Sequence, residues 1–163
     1  MQSADLAVRM RETLDLALRI RRVVTSGWSL YAARGYLEGK TPPRDVASLR
    51  QHSLVGFNDE LAGVPGAIWL REQGLADEVA VRTNSIPSAL NATLGGMGIA
   101  VLPCLVAANQ PELVRVLDEV VCVRPLWLVA HPDVRRSARV RAVWNYLVEL
   151  VESDRELISG VRE

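Results

Sequence analysis

The chain has 163 residues, enough for one ordinary domain or two small lobes, and 49% of them are hydrophobic. Its 19 basic and 19 acidic residues cancel, so no global charge attracts nucleic acid or an anionic membrane. The two cysteines, Cys104 and Cys122, are too few and too far apart for a zinc site or a disulfide framework, and both are predicted to be buried. The chain has no signal-peptide pattern, and no apolar run approaches the roughly 18 residues that span a bilayer, which predicts a cytoplasmic protein.

The first third of the chain is predicted to consist of strands followed by one short helix. Apolar residues alternate over residues 5–10 and 16–20, as in half-buried strands. A polar segment at 25–27 separates the second strand from another at 28–32. A short helix is predicted at 33–39 because it ends at a glycine and a proline turn follows.

The next part of the chain is predicted to form a strand, a loop and a helix. The apolar strand at 54–57 ends at Phe57, and the polar segment 58–63 follows as a loop before a helix at 65–73. Ligands bind outside the carboxyl ends of strands in open α/β sheets, so Phe57 is a candidate wall of a ligand cleft. Simple core packing is the alternative interpretation of this phenylalanine.

Residues 78–102 carry the strongest local pattern, a strand, a capped helix and a second strand. Val79 and Val81 alternate in the first strand, and apolar residues then recur at helical spacing as far as residue 97. Glycines end the helix, and the apolar strand at 99–102 is ended by Pro103. Such a βαβ unit implies a crossover onto a parallel sheet.

The start of this helix is the candidate binding site. Thr83, Asn84 and Ser85 follow the carboxyl end of the first strand, where helix amides point outward and favour an anion. Asn84 and Ser85 are also good N-cap residues. A cap without any ligand is therefore the alternative interpretation.

The last part of the chain is predicted to form a short helix, two strands and one long helix. The short helix covers 103–109, and the strands cover 113–117 and 126–130. The long helix covers 137–151 and has one apolar face, and the remaining residues read as a fraying tail.

Several blocks of the chain resemble the C-terminal, effector-binding half of LysR-type transcriptional regulators, in the same order. The resemblance covers roughly residues 4–150. The blocks are DLAVR (5–9), WSLYA (28–32), GYL (35–37), HSLVGF (52–57), RTNS (82–85), GGMGIAVLPC (95–104) and LWLVAHPDVRRSARVR (126–141).

The resemblance implies a two-lobed α/β domain like type 2 periplasmic binding proteins, with parallel-rich sheets. Residues 1–26 would supply strands of a partial lobe I, and 27–122 a complete lobe II. Residues 123–152 would return to lobe I as a strand and a long helix, and 153–163 would form a C-terminal tail. The helix-turn-helix and the first two strand–helix units of the family pattern precede the block at 5–9, so they are expected to be missing.

The function that the resemblance implies is sensing of a small-molecule effector, with an anion favoured. Thr83, Asn84 and Ser85 would bind it, with Phe57 and Pro103 as walls. Neither histidine lies in a metal or catalytic motif, so no enzyme activity, cofactor or metal is predicted. Self-association as a homodimer is expected, and DNA contact only through the missing domain. The alternatives are a free-standing solute-binding protein and a dimerisation fragment without ligand.

Overall fold

The computed structural model describes residues 6–9, 19–130 and 137–161. Within these residues the strands are β1 (Leu6–Arg9), β2 (Arg19–Ala33), β3 (Leu54–Phe57), β4 (Val79–Thr83), β5 (Ile99–Pro103), β6 (Leu113–Arg115) and β7 (Cys122–Ala130). The α-helices are α1 (Arg34–Leu37), α2 (Pro65–Glu72), α3 (Ile86–Leu94), α4 (Cys104–Ala108), α5 (Ala138–Ser153) and α6 (Arg155–Ser159). Short 3₁₀ turns cover Ala47–Gln51, Asp59–Leu61 and Ala76–Glu78. No helix in this part of the chain has the length and apolar character needed to cross a bilayer.

The strands form one mixed sheet in the order β1-β7-β2-β5-β3-β4, with β6 also paired to β2. The pairs β3–β4 and β3–β5 are parallel, and the other pairs are antiparallel. The prediction of parallel-rich sheets therefore holds only for β3, β4 and β5. The reason is β2, which runs antiparallel to all three of its neighbours.

The first third of the chain differs from the prediction at residues 25–27. The polar segment does not separate two strands but lies inside the 15-residue strand β2. Thr25, Ser26 and Gly27 are in register with residues 125, 124 and 123 of β7, so the pairing of β2 with β7 continues through the polar segment. The predicted strands at 5–10 and 16–20 overlap β1 and the start of β2, and residues 5, 10 and 16–18 lie outside the described residues.

Two apolar clusters pack against the sheet. The larger lies around β2, β3 and β5, and its fully buried members include Trp28, Leu54 and Leu102. The smaller joins β7 to α5 through Leu128, Trp144 and their neighbours. The division into lobes at residues 26/27 and 122/123 stays a prediction.

The chain after α5 is ordered by packing, so the prediction of a fraying tail is wrong for residues 154–161. Ile158 of α6 is buried, and Arg115 Nη2 donates a hydrogen bond of 3.0 Å to the Gly160 carbonyl. Gly27 lies so close to α6 that a Cβ atom there would collide with the Ser159 carbonyl. Segment 155–161 is therefore part of the fold around β2.

The βαβ unit predicted from local pattern is present as β4, α3 and β5. Pro87 occupies the first turn of α3, where a missing N–H costs nothing. The helix ends at the glycines, and Gly96 has a φ of 74°, a conformation that other residues rarely adopt. Strand β3 lies between β4 and β5, so all three carboxyl ends share one edge of the sheet.

Candidate functional site

Three of the five predicted site residues are the last residues of adjacent parallel strands. Phe57 ends β3, Thr83 ends β4 and Pro103 ends β5. Phe57 and Thr83 are paired in the β3–β4 register, and Asn84 and Ser85 follow Thr83 directly. The fold thus brings the five residues to one edge of the sheet, although they span 46 positions from 57 to 103.

Thr83 is buried and ties two strands together. Its Oγ1 donates a hydrogen bond of 2.9 Å to the Gly56 carbonyl, and its own carbonyl accepts one of 2.9 Å from the Asn58 amide. Both bonds link the end of β4 to the end of β3. Thr83 therefore fixes the shape of this edge, whether or not it touches a ligand.

Ser85 is the N-cap of α3. Its Oγ accepts a hydrogen bond of 3.1 Å from the Ser88 amide and donates one of 2.7 Å to Ser88 Oγ. Since Pro87 lacks an N–H and Ser88 uses its own in the cap, the first turn offers an anion fewer backbone donors than an uncapped helix would. Asn84, in contrast, is exposed at the same edge.

Phe57 and Pro103 contribute mainly to packing. Phe57 belongs to the larger apolar cluster, as the alternative interpretation of this residue expected. Pro103 is buried, pairs with Trp28 of β2 and precedes α4 as its N-cap residue. Both residues can act as apolar walls, but neither offers a side-chain hydrogen bond to a ligand.

Two polar atoms near this edge were not identified by sequence reasoning as site groups. The Trp28 Nε1 and Asn58 Oδ1 atoms are buried and have no hydrogen-bond partner in the described part of the chain. Trp28 pairs with Pro103, and continuing the β3–β5 register from Val55 and Ala100 places Asn58 level with Pro103 as well. An unpaired buried donor or acceptor costs roughly 1–3 kcal/mol, so atoms of this kind mark a place for a ligand or a water molecule.

A family model described as the LysR substrate binding domain matches residues 1–152. The chain belongs to this family. The confirmed fold class is the α/β, periplasmic-binding-protein-like class. A LysR substrate-binding domain is the effector-binding, regulatory part of a LysR-type transcriptional regulator. Segment 155–161, which packs on β2, lies beyond the matched residues.

Solved structures of LysR-type regulators share this fold. The regulatory domain of CrgA from Neisseria meningitidis matches with a TM-score of 0.74 at 24% identity, over 90% of this chain and 74% of that chain. A structure of CrgA itself matches with a TM-score of 0.71 at 25% identity, over 90% of this chain and 52% of that chain. The chain thus spans about half the length of that regulator.

A third structure was solved with a small molecule. The CcmR regulatory domain from Synechocystis PCC6803, in complex with 2-PG, matches with a TM-score of 0.61 at 20% identity, over 90% of this chain and 73% of that chain. At this level of identity the likeness concerns the fold alone. No curated protein sequence matches the chain.

Proposed function

We propose that this LysR substrate-binding domain senses a small polar effector at the carboxyl ends of β3, β4 and β5. The observation that carries the proposal is that Trp28 Nε1 and Asn58 Oδ1 are buried and unpartnered, while the backbones of both residues are level with Pro103 in the sheet. A ligand that accepts a hydrogen bond from the indole N–H and donates one to the Asn58 amide oxygen would satisfy both atoms. Family membership supports the same conclusion, because effector binding defines this kind of domain.

The proposed roles of the site residues follow from their contacts. Asn84 is exposed and would contact the effector directly, while Thr83 and Ser85 hold the strand end and the helix start in place. Phe57 and Pro103 would form apolar walls. An anion is favoured, since an indole N–H and the positive end of α3 both attract negative charge.

The domain would act in the cytoplasm as part of a homodimer and would reach DNA through a separate helix-turn-helix domain. Its role would be binding rather than catalysis, because Thr83 and Ser85 use their hydroxyls in structural hydrogen bonds at this edge.

The experiment is a binding screen of small carboxylates and phosphates, including 2-PG, by thermal shift and then calorimetry. The diagnostic variant is Trp28→Phe, which removes the indole N–H while keeping an aromatic ring. Trp69→Phe is the matched control, because Trp69 is also buried in the larger cluster. We expect Trp28→Phe and Asn84→Ala each to weaken binding of a hit about tenfold, and Trp69→Phe to leave it unchanged.

The same screen separates the alternatives. A hit with equal affinity for all variants would place the ligand elsewhere and refute the proposed site. If no compound of the panel binds and the protein still associates with itself, a dimerisation domain without ligand becomes the better description. A free-standing solute-binding protein would bind its ligand as a monomer.

A further inference from the structure

A separate cavity of about 910 Å³ lies between β6, α4 and the C-terminal segment. Its lining includes Tyr31, Cys104 and Arg115 on one side and residues 156, 157, 160 and 161 on the other. None of the lining residues belongs to the site proposed above. Part of the wall is formed by segment 155–161, which lies beyond the residues that match the family model.

Arg115 is the charged lining residue that is partly buried, and its described hydrogen bonds all go to neutral groups. Its Nη2 donates to the Tyr31 hydroxyl at 3.3 Å, the Gly160 carbonyl at 3.0 Å and the Cys104 Sγ at 3.5 Å. Its Nη1 donates to the Asp118 carbonyl at 3.3 Å. The ion pairs among the described residues join Arg21 to Glu152 and Arg50 to Glu78, so no carboxylate there pairs with Arg115.

The protonation states keep this positive charge uncompensated. Burial raises the pKa of Tyr31 to about 12, with Cys104 contributing in the same direction and Arg115 opposing it. The tyrosine is therefore neutral at physiological pH. For Arg115, burial lowers the pKa, but the hydrogen bond to Tyr31 and the attraction that Tyr31 and Cys104 exert when ionised outweigh burial, so its pKa is raised. A partly buried cation whose hydrogen-bond partners are all neutral favours an anionic partner.

The other lining groups define the rest of the ligand. Leu157 and Val161 are 41% and 55% exposed, so they present apolar surface beside the guanidinium. Arg34 adds a second cation, while Asp118 and Glu156 place two carboxyl groups in the lining. Asp118 and Glu156 are solvent-exposed, where salt screens their charge, whereas Arg115 is partly buried.

We infer that this cavity binds a small carboxylate with an apolar body, in addition to any effector at the strand ends. The carboxylate would pair with the N–H groups of Arg115 that its hydrogen bonds to neutral groups leave over, and the apolar part would cover Leu157 and Val161. Because Arg115 also holds the Gly160 carbonyl, occupancy of the cavity stabilises the packing of segment 155–161.

The test uses benzoate as an amphipathic probe and acetate as a probe without an apolar body. Both are titrated into the ¹⁵N-labelled chain and followed by NMR. We expect saturable benzoate shifts at the amides of residues 113–115 and 157–161. Arg115→Gln should weaken benzoate binding about tenfold, while Arg50→Gln, the control, should leave it unchanged because Arg50 pairs with Glu78 elsewhere.

Two further variants distinguish binding in this cavity from a folding defect and from binding at the strand-end site. Leu157→Ala truncates a half-exposed side chain and should weaken benzoate binding but not acetate binding. Trp28→Phe, which alters the strand-end site, should leave benzoate binding unchanged. The inference would be overturned if Trp28→Phe lost benzoate binding, or if the unmodified chain showed no saturable benzoate binding. It would also be overturned if Arg115→Gln and Leu157→Ala both bound benzoate as tightly as the unmodified chain.

Discussion

Ser85 shows how one residue can fit two interpretations of the sequence. Its position after a strand marks it as a candidate ligand contact, and its type marks it as a helix cap. In the folded chain its Oγ accepts a hydrogen bond of 3.1 Å from the Ser88 amide, so the cap is present. The ligand role stays a prediction, and the two roles are compatible because Asn84 beside it is exposed.

Ser85→Ala is expected to lower the free energy of unfolding by about 1 kcal/mol, since the Ser88 amide loses its acceptor. Ser85→Asp restores a cap acceptor and should recover most of that loss. Urea denaturation measures both variants. Asn84→Ala is the control, expected to stay within about 0.5 kcal/mol of the unmodified chain. Equal losses in Ser85→Ala and Ser85→Asp would contradict the assignment of the loss to the missing cap acceptor.

Tyr31 should make the fold sensitive to alkaline pH. Burial raises its pKa from 10.0 to about 12, so the unfolded chain loses this proton first as pH rises. The stability contributed by the neutral hydroxyl is complete below pH 10 and is lost as pH rises toward 12. Cys122, with a pKa raised by burial to about 11, adds a similar loss beginning near pH 9.

Tyr31→Phe should therefore flatten the decline in unfolding free energy between pH 10 and 12, with the Cys122 contribution left in both proteins. Urea denaturation at pH 8, 10 and 11 measures the difference between the two curves. Parallel curves across this range would contradict the assignment of the alkaline loss to Tyr31.

At the scale of elements, the long strand β2 connects most of the molecule. It pairs with β5, β6 and β7, and α6 packs on it at Gly27. Gly27 allows this packing because it has no side chain where α6 approaches. A small residue in the polar segment 25–27 thus serves helix packing rather than a turn.

Gly27→Ala should displace α6. The added Cβ would collide with the Ser159 carbonyl and lie 3.1 Å from Val120 Cγ1, and backbone cannot yield as a flexible side chain would. We expect a loss of about 1–3 kcal/mol and faster hydrogen exchange at residues 158–160. Gly35→Ala is the control, because a Cβ there meets no atom within 4 Å and alanine favours the helix. Unchanged exchange in Gly27→Ala would mean that α6 does not depend on this contact.

At the scale of the whole molecule, the outer face of α5 exposes apolar side chains to solvent. Val143, Tyr146 and Leu150 are 50%, 62% and 40% exposed and lie at helical spacing on one face. The side of α5 that contains Trp144 and Val148 packs on β7. The helix therefore presents apolar side chains on two sides, and only one of them is buried in the single chain.

The chain is expected to self-associate through this outer face of α5. Sedimentation at micromolar concentration should show a dimer, and Val143→Lys should shift the population toward monomer because it places a charge in the apolar contact. Asn145→Lys, at an exposed polar position of the same helix, is the control and should leave association unchanged. A monomer for the unmodified chain at these concentrations would contradict the prediction.

The sequence by itself determined the features that depend on neighbouring residues. Helix starts, glycine stops and apolar periodicity predicted the βαβ unit of β4, α3 and β5 and the long helix α5, because caps and turns involve atoms within a few positions. For the same reason the helix cap at the start of α3 could be predicted from the residue types there. Blocks of residues in a fixed order also carried the resemblance to the LysR family, which the family model confirms.

Only the tertiary structure decided how distant segments combine. The continuity of β2 through residues 25–27 depends on pairing with residues 123–125, and the docking of α6 depends on Gly27 and Arg115. Arg115 meets Tyr31 across 84 positions and Gly160 across 45. No local pattern encodes such contacts, because a side chain's partners and burial are set by which strands become neighbours. The buried Trp28 Nε1 and the cavity beside Arg115 are consequences of that arrangement.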